Sequence, residues 1–342
     1  MKLQLKVKDL YYSLPNELLA RTPKELREDP TTRLLVMNRA SGTVEHRYFD
    51  EVIEYFNTGD VLVLNNSKTI KADLLGWSDD GRRVNVHLAC NMGEGRWKVY
   101  SFTDNLKVGT VITFGKNTLS CKLLSSSENG KIWVAQFSAS DIFPFLDEVG
   151  RPIMSPYVKK GYDISYYRNH YATVEGSAEL PAAGKHFSPT IIKKLENKGV
   201  QIVYITLHTG LSSIEVSEDD FEDHQMHEER IELTESAAKT INNAHAQGKR
   251  VFAVGTTAVR TLESCVNDCD VFAFSGYTNL YIYPGYKYRV CDALFTNFHG
   301  PRSSRIALAA AFTGKELLMK GYEEAIERKY AFYEFGDTTL TI

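Results

Sequence analysis

The residues best suited to chemistry are concentrated in two segments of the C-terminal third, 254–264 and 283–299. The first follows a β-branched run and begins a predicted helix, so Thr256 and Thr257 place hydroxyl groups and unpaired backbone N–H groups at a helix N-terminus. Such a terminus can bind an anion, and Arg260 could supply a second contact. Alternatively, Thr256 only caps the helix and Arg260 forms a surface ion pair.

The second segment carries Tyr, Arg, Asp, Asn and His side chains in a strand-like stretch that a core strand would fill with aliphatic residues. Polar groups in such a place must find partners or take part in function. The two segments together indicate an enzyme.

Three histidines, His186, His208 and His299, each end a predicted strand or lie in a glycine-flanked loop. Folds of the α/β class bind ligands at such positions. A single histidine of this kind is more often structural, but three in one unit favour a catalytic role for at least one.

An acidic loop carries a further pair of histidines, His224 and His227, followed by Glu228 and Glu229. A zinc site would need a third ligand at matching spacing, and the HExxH pattern is absent, so we expect no metal. Acid–base catalysis suits histidine because it titrates near neutral pH. The alternative is an ordinary solvated loop.

The segment from 157 to 171 alternates aromatic and basic side chains, a combination suited to single-stranded RNA. Nearby proline and glycine equally suit a loop that packs its rings against the protein. The residues are Tyr157, Lys159, Lys160, Tyr162, Tyr166, Tyr167, Arg168 and Tyr171.

Composition indicates a soluble protein of two structural units. The chain has 342 residues, a length above the roughly 250–300 at which single cores stop growing. Its net charge of −3 provides no overall attraction for a polyanion. The sequence has no apolar run long enough to span a membrane and no signal-peptide pattern. Its five scattered cysteines favour reduced thiols. We therefore expect a cytoplasmic location. Cys265 and Cys269 lack the second pair that a zinc knuckle needs.

Strand signals dominate residues 60–138, whereas strands and helices alternate on either side. The pattern predicts an α/β fold: a barrel-like, mixed or mostly parallel α/β domain formed by 1–65 and 150–342, with a small all-β barrel inserted at 66–149. Two consecutive domains divided near Asp141 are the alternative. The predicted strands of the β region are 60–64, 84–90, 97–102, 111–114, 119–125 and 132–137. Elsewhere we predict helices at 16–20, from Ser188 to 198, from Thr234 to 248, and at 256–265, 303–312 and 316–330, with strands at 33–38, 200–207, 250–254, 280–283, 289–295 and 338–342.

Long motifs spread over the whole chain resemble the S-adenosylmethionine:tRNA ribosyltransferase-isomerase family of queuosine biosynthesis. The segments that carry the resemblance are 9–20, 33–36, 46–49, 59–66, 224–229, 254–264, 283–299 and 330–337. The resemblance implies the same two-part architecture. It also implies that S-adenosylmethionine donates a ribosyl unit to 7-aminomethyl-7-deazaguanine in the tRNA anticodon, giving epoxyqueuosine, adenine and methionine.

This reaction requires a base, an acid and groups that bind the methionine tail, but no metal or redox cofactor. Because the sulfonium acidifies the adjacent 5′ hydrogens, a base can remove one, and we expect it among His186, His208, His227 and His299. Asp292 or Glu228 would assist protonation of the departing adenine. The remaining expected contacts are Thr256, Thr257 and Arg260 on the methionine tail, Tyr283 or Tyr286 stacked on a purine, and Asn297 and Lys185 in the substrate site.

Four polar loops depart from the family's pattern while the scaffold motifs are kept. The loops are 65–74, 181–187, 207–214 and 298–304. Lys185 replaces a leucine beside His186 and would either pair with an acidic group on the acceptor or point outward. The departures leave three hypotheses: transfer to tRNA by a monomer, transfer to a small-molecule acceptor, or a noncatalytic tRNA- or nucleoside-binding relative.

Overall fold

Two β-sheets, one open and one closed, organise the chain in the computed structural model, which describes residues 5–127, 130–210, 216–268 and 270–342. The strands, in chain order, are β1 (Arg33–Asn38), β2 (Thr43–Tyr48), β3 (Val61–Asn65), β4 (Ser67–Thr69), β5 (Asp73–Ser78), β6 (Arg83–Gly93), β7 (Arg96–Tyr100), β8 (Val111–Phe114), β9 (Leu119–Ser126), β10 (Ile132–Phe137), β11 (Gly150–Arg151), β12 (Val174–Ser177), β13 (Gln201–Leu207), β14 (Glu229–Leu233), β15 (Val251–Val254), β16 (Val266–Asn267), β17 (Asp270–Val271), β18 (Phe274–Thr278), β19 (Ala293–Asn297) and β20 (Thr338–Thr341). The α-helices are α1 (Leu146–Val149), α2 (Pro189–Asn197), α3 (Glu235–Ala246), α4 (Gly255–Ser264), α5 (Ser304–Thr313) and α6 (Lys315–Glu327).

The large sheet is mixed, with the strand order β18-β14-β13-β3-β15-β19-β20-β1-β2. Its four central strands, β13, β3, β15 and β19, run parallel, whereas β20 runs antiparallel to β19 and parallel to β1. The mixed α/β class is therefore as predicted. The barrel-like closure expected for this unit is not among the strand pairings of the described residues, because the sheet begins at β18 and ends at β2.

The direction of the central strands gives the sheet one chemically rich edge. The carboxyl ends of β3, β13, β15 and β19 meet there, and the chain also reaches this edge just before β20 and before β1. We call it the C-terminal edge. In parallel sheets ligands bind at this edge, since its loops converge there.

The second sheet is a closed antiparallel barrel of six strands, β5-β6-β7-β10-β9-β8, with β8 pairing back to β5. Five of the six strands predicted for this region belong to it. The sixth, 60–64, is wrong as a barrel strand because it forms β3 of the large sheet. The sixth barrel strand is instead β5, which the sequence pattern does not predict because Gly76 interrupts its run of strand-forming residues. A Cβ at Gly76 would lie 2.5 Å from the Thr113 carbonyl oxygen, so only glycine permits the barrel to close there.

The helices begin where their capping residues predict. The hydroxyl oxygens of Ser188, Thr234 and Ser303 accept backbone N–H groups in the first turns of α2, α3 and α5. Within the described ranges no helix is long and apolar enough to cross a bilayer.

Three predicted elements differ from those observed. The helix at 16–20 is a 3₁₀ turn, Asn16–Leu18, and 280–283 is irregular rather than a strand. The strand predicted at 289–295 begins only at Ala293. The reason is local: the Glu263 carboxylate accepts the backbone N–H groups of residues 289, 290 and 291, which are therefore unavailable to a neighbouring strand.

We predict that Gly76→Ala lowers the free energy of unfolding by about 1–3 kcal/mol, because the added methyl group overpacks the barrel closure. Urea unfolding measures the change. Trp77→Phe, at the exposed neighbouring position, is the matched control and should shift stability by less than about 0.5 kcal/mol. Equal stability of Gly76→Ala and wild type would contradict the closure.

Candidate active site

Buried polar atoms without a hydrogen-bond partner among the described residues collect at the C-terminal edge. Five residues illustrate this, namely Thr257 (Oγ1), His186 (both ring nitrogens), Asn297 (Oδ1), Glu334 (Oε1) and Tyr281 (hydroxyl). Folding normally satisfies more than about nine in ten such groups, because an unmade hydrogen bond in the interior is costly. Their concentration marks the place where a polar ligand would supply the missing partners.

The N-terminus of α4 opens into a narrow cleft at this edge. The helix begins at Gly255 with no side-chain hydrogen bond from its N-cap residue, Val254, so its first-turn N–H groups stay available. Gly255 has a φ of 82°, a left-handed conformation that only glycine adopts readily. The cleft is lined by Met226, Thr256, Thr257, Arg260, Leu280, Tyr281, Ile282, Ser304, Arg305 and Leu308.

Arg260 lines the cleft but is held by the protein itself. Its guanidinium forms a buried ion pair with Glu229, and its Nε donates to the Leu280 carbonyl at 2.9 Å. Glu229 is fully buried and also accepts the Gly210 N–H at 2.7 Å. Arg260 is thus part of a buried pair that fixes the cleft wall, and its expected contact with a substrate carboxylate stays a prediction. The alternative of a surface pair is wrong because both partners are buried.

His208 lies at the carboxyl end of β13, beside β4 and β12. Its Nδ1 lies 2.7 Å from the Ser67 hydroxyl, and a Cβ at Gly176 would come within 2.7 Å of the ring. Burial, followed by the charge of Arg230, lowers the pKa of His208 to about 4. The ring is therefore neutral at physiological pH.

Asn297 is the last residue of β19, and His299 lies two positions beyond it. The His299 Nε2 lies 2.6 Å from the Thr296 hydroxyl, and burial together with Arg305 holds its pKa well below the usual range. Asn297 donates from Nδ2 to the Tyr333 carbonyl at 3.0 Å while its Oδ1 is unpartnered. Asn297 thus contacts the chain segment that precedes β20.

Lys185 and His186 lie in a 3₁₀ segment, Ala182–His186, that packs against the start of α4. The Lys185 Nζ lies 2.9 Å from the Glu25 carboxylate, so this lysine is buried and paired, and the outward-pointing alternative is wrong. Although burial acts to raise the pKa of Glu25, the hydrogen bond and charge of Lys185 lower it overall. His186 packs against Phe49, and burial followed by Lys24 and Lys185 lowers its pKa well below the usual value.

His227 and Glu228 lie beside the cleft residue Met226, near the inserted barrel. Burial and the Lys98 charge lower the pKa of His227. Glu228 is exposed and forms an ion pair with Lys98 of β7 at 2.6 Å. This loop therefore joins the barrel to the large sheet as well as reaching the cleft.

Two predicted site residues lie elsewhere. Asp292 precedes β19 at the opposite edge, where its carboxylate accepts the Val251 N–H at 2.8 Å and lies 3.5 Å from His245. Tyr286 donates its hydroxyl to Glu263 at the far end of α4. Tyr283 stays near the cleft, stacked on Phe221 with ring centroids 6.1 Å apart. The structure thus separates Asp292 and Tyr286 from the other candidates.

The tyrosines of the 157–171 segment pack into the protein. Tyr157 contacts the Tyr333 ring, Tyr162 contacts Phe335, and Tyr171 contacts Tyr204. These contacts favour the packing interpretation of the segment over a row of rings presented to RNA.

In the part of the chain that the structure describes, no three His, Cys, Asp or Glu side chains lie close enough to hold a metal ion. Cys265 is buried and free, and burial raises its pKa to about 12. Cys269 lies outside the described residues.

Comparison with known proteins identifies the relatives of this chain. A family model described as "Queuosine biosynthesis protein" matches residues 7–341. The chain belongs to this family. It is 40% identical over 344 residues to the S-adenosylmethionine:tRNA ribosyltransferase-isomerase of Caldanaerobacter subterraneus subsp. tengcongensis, covering 99% of this chain and 100% of that protein. A relative of the same name from Thermotoga petrophila is 39% identical over 340 residues, with 99% and 100% covered.

A solved structure agrees with this assignment. The crystal structure of the S-adenosylmethionine tRNA ribosyltransferase from Thermotoga maritima is similar to this chain with a TM-score of 0.57 and 33% sequence identity. The similarity covers 98% of this chain and 100% of that one. The family resemblance predicted from the motifs is thus confirmed.

The loops that the sequence analysis singled out as departing from the family pattern make contacts inside the protein. Lys68 pairs with Glu175 at 2.9 Å, and the Asn66 side chain accepts the Thr206 hydroxyl at 2.7 Å. A Cβ at Gly300 would come within 2.7 Å of the Tyr333 hydroxyl, so glycine makes room for that ring. The part of the third loop at 211–215 lies outside the described residues.

Sequence reasoning missed three acidic residues that shape the site: Glu25, Glu229 and Glu334. Glu229 and Glu334 both lie in motifs that carry the resemblance, but the sequence assigns no role to either. Glu334 lies between Tyr333 and Phe335. A carboxylate flanked by aromatic residues signals a group held in an apolar environment, and this pattern was visible in the sequence.

We predict that Glu229→Gln lowers the free energy of unfolding by about 3–5 kcal/mol, because it leaves the buried Arg260 charge without its partner. The double variant Glu229→Gln/Arg260→Met removes both charges and should be more stable than Glu229→Gln alone. A double-mutant cycle in urea measures the coupling. Additive losses would show that the two side chains do not interact.

Proposed function

We propose that this protein transfers and isomerises the ribosyl unit of S-adenosylmethionine onto 7-aminomethyl-7-deazaguanine in tRNA, releasing adenine and methionine and forming epoxyqueuosine. The observation that carries the proposal is the match over 99% of the chain to enzymes named for this substrate pair. The grouping of unpartnered polar atoms at the C-terminal edge supports it.

The N-terminus of α4 is the proposed site for the methionine part of the donor. Available N–H groups and the helix dipole stabilise a carboxylate there, and the unpartnered Thr257 hydroxyl lies in the same cleft beside Thr256. Arg260 contributes by holding the cleft wall through Glu229. We propose that the ring of Tyr283, next to this cleft, contacts the purine. Asn297 and Lys185 are the other proposed substrate contacts at the C-terminal edge.

The proposed base is one of the four histidines at or near this edge, His186, His208, His227 and His299. Their lowered pKa values keep each ring neutral, and only a neutral ring can accept the 5′ proton. Of these, His208 has a ring nitrogen fixed by Ser67 at the carboxyl end of a central strand. We favour His208 on that ground.

We propose tRNA as the acceptor, a monomeric protein in the cytoplasm, and domains at 1–65 with 150–342 and at 66–149. The polar loops that motivated a small-molecule acceptor make internal contacts, as Lys185 does with Glu25. That supports the tRNA acceptor over the rival.

We expect purified protein to release adenine and methionine from S-adenosylmethionine in the presence of tRNA carrying the 7-aminomethyl-7-deazaguanine precursor. Mass spectrometry of the nucleosides should show epoxyqueuosine. A ribosyl adduct formed with an RNA-free metabolite extract, but not with tRNA, would instead establish the small-molecule acceptor. Binding without any adenine release would indicate a noncatalytic relative.

We also predict that Thr257→Val raises the KM for S-adenosylmethionine about tenfold, since one hydrogen bond to a charged group is lost at constant side-chain shape. Steady-state adenine release measures it. Thr240→Val, on the exposed face of α3, is the matched control. An unchanged KM in Thr257→Val would remove this hydroxyl from the donor site.

A further inference from the structure

One carboxyl group at the C-terminal edge has an environment unlike any other acidic side chain of the site. Glu334 lies in the segment that precedes β20, and its Oε1 is buried with no hydrogen-bond partner in the described part of the chain. Its backbone N–H donates to the Tyr157 hydroxyl at 3.3 Å. The residue is therefore held in place by its main chain while one carboxyl oxygen is left uncommitted.

The groups around this carboxyl disfavour its ionised form. Burial, and next the like charge of Glu179, raise the pKa of Glu334 to about 7, against the weaker opposing effects of its hydrogen bonds and of a cation. A carboxyl group in this state exists in both protonation forms at neutral pH, which is the condition for efficient proton transfer. The titratable and polar groups that interact with it are Ser155, Tyr157, Tyr167, Glu179 and Arg305.

Two connections place Glu334 within the same site as the donor cleft. Arg305 interacts with Glu334 and also lines the cleft with Thr256 and Thr257. In addition, the Asn297 Nδ2 donates to the carbonyl oxygen of Tyr333, the residue before Glu334. Glu334 thus lies between the carboxyl end of β19 and the cleft at α4.

We propose that Glu334 is the acid of the reaction, giving its proton to the adenine that leaves S-adenosylmethionine. This inference rests on the proposed function. Glu334 takes the role that the sequence suggested for Asp292 or Glu228, because Asp292 lies at the opposite edge and Glu228 is exposed and paired with Lys98.

The proton and electron balance is simple. The bond between the ribosyl carbon and the adenine nitrogen breaks with its electron pair going to nitrogen, and the carboxyl proton of Glu334 goes to the adenine ring. Neutral adenine leaves, and Glu334 is left as a carboxylate that regains a proton from solvent. The electron pair of the C5′–H bond, whose proton the histidine base removes, becomes the C4′=C5′ double bond as the ring bond between C4′ and oxygen breaks. The pair from that ring bond becomes the C1′=O bond and replaces the pair that C1′ loses with adenine.

The test is Glu334→Gln, which keeps the shape and the polar contacts but carries no transferable carboxyl proton. We expect kcat for adenine release to fall by about 10²–10⁴-fold with the KM for S-adenosylmethionine within about threefold of wild type. Glu324→Gln, a carboxylate of α6 bound to His46, is the matched control and should behave as wild type. A Glu334→Gln enzyme with at least a third of wild-type kcat would overturn the proposal.

A pH profile separates proton donation from a structural role. Since the protonated carboxyl is the active form, the wild-type rate should fall as pH rises through about 7. Burial is the main cause of the raised pKa and the like charge of Glu179 adds to it, so Glu179→Gln should move the falling limb to lower pH. A limb that does not move in Glu179→Gln, or that persists in Glu334→Gln, would contradict the assignment.

The same assay distinguishes this inference from the proposed function. If wild-type protein releases no adenine with precursor tRNA, the proposed function fails. If wild type is active and Glu334→Gln equals it, only the role of Glu334 fails. A folding defect is recognised independently, because Glu334→Gln should retain the thermal unfolding midpoint of wild type within a few degrees.

Discussion

The shared direction of four central strands is the constraint on which the rest of the molecule depends. Because β3, β13, β15 and β19 run parallel, each delivers its following loop to one edge of the sheet. The reversal at β20 adds the segment before that strand to the same edge. Residues as distant in sequence as Lys185, Thr257 and Glu334 thereby come to one region, and a reversed central strand would send its loop to the other side of the sheet.

Sequence patterns predicted the elements well where local physics decides them. The helix starts at Ser188 and Thr234 follow from capping, and β1 follows from its uninterrupted apolar run. Partners distant in sequence could not be predicted this way. Three backbone N–H groups before β19 bind the Glu263 side chain instead of a strand, and β5 is hidden by a glycine that only the barrel closure explains.

The site was predicted in part for the same reason. Histidines and threonines at strand ends were recognisable because the α/β pattern specifies where its loops converge. The ion pair between Arg260 and Glu229 could not be recognised in this way, because a pair between positions 31 residues apart leaves no local pattern in the sequence. Asp292 shows why position relative to a strand matters: it precedes β19 rather than following it, so the strand direction carries it to the edge away from the cleft.

The way the barrel joins the large sheet has a mechanical consequence. The chain leaves the sheet through β4 and returns through β12, and these two strands pair with each other in parallel, with additional bonds from residues 173 and 174 to the Asn66 carbonyl. Lys98 of the barrel and Glu228, which precedes β14 of the large sheet, make a second connection. Because the barrel is attached to the sheet at two places, we expect it to rotate little against the sheet, so that the two present a single fixed surface to a partner molecule.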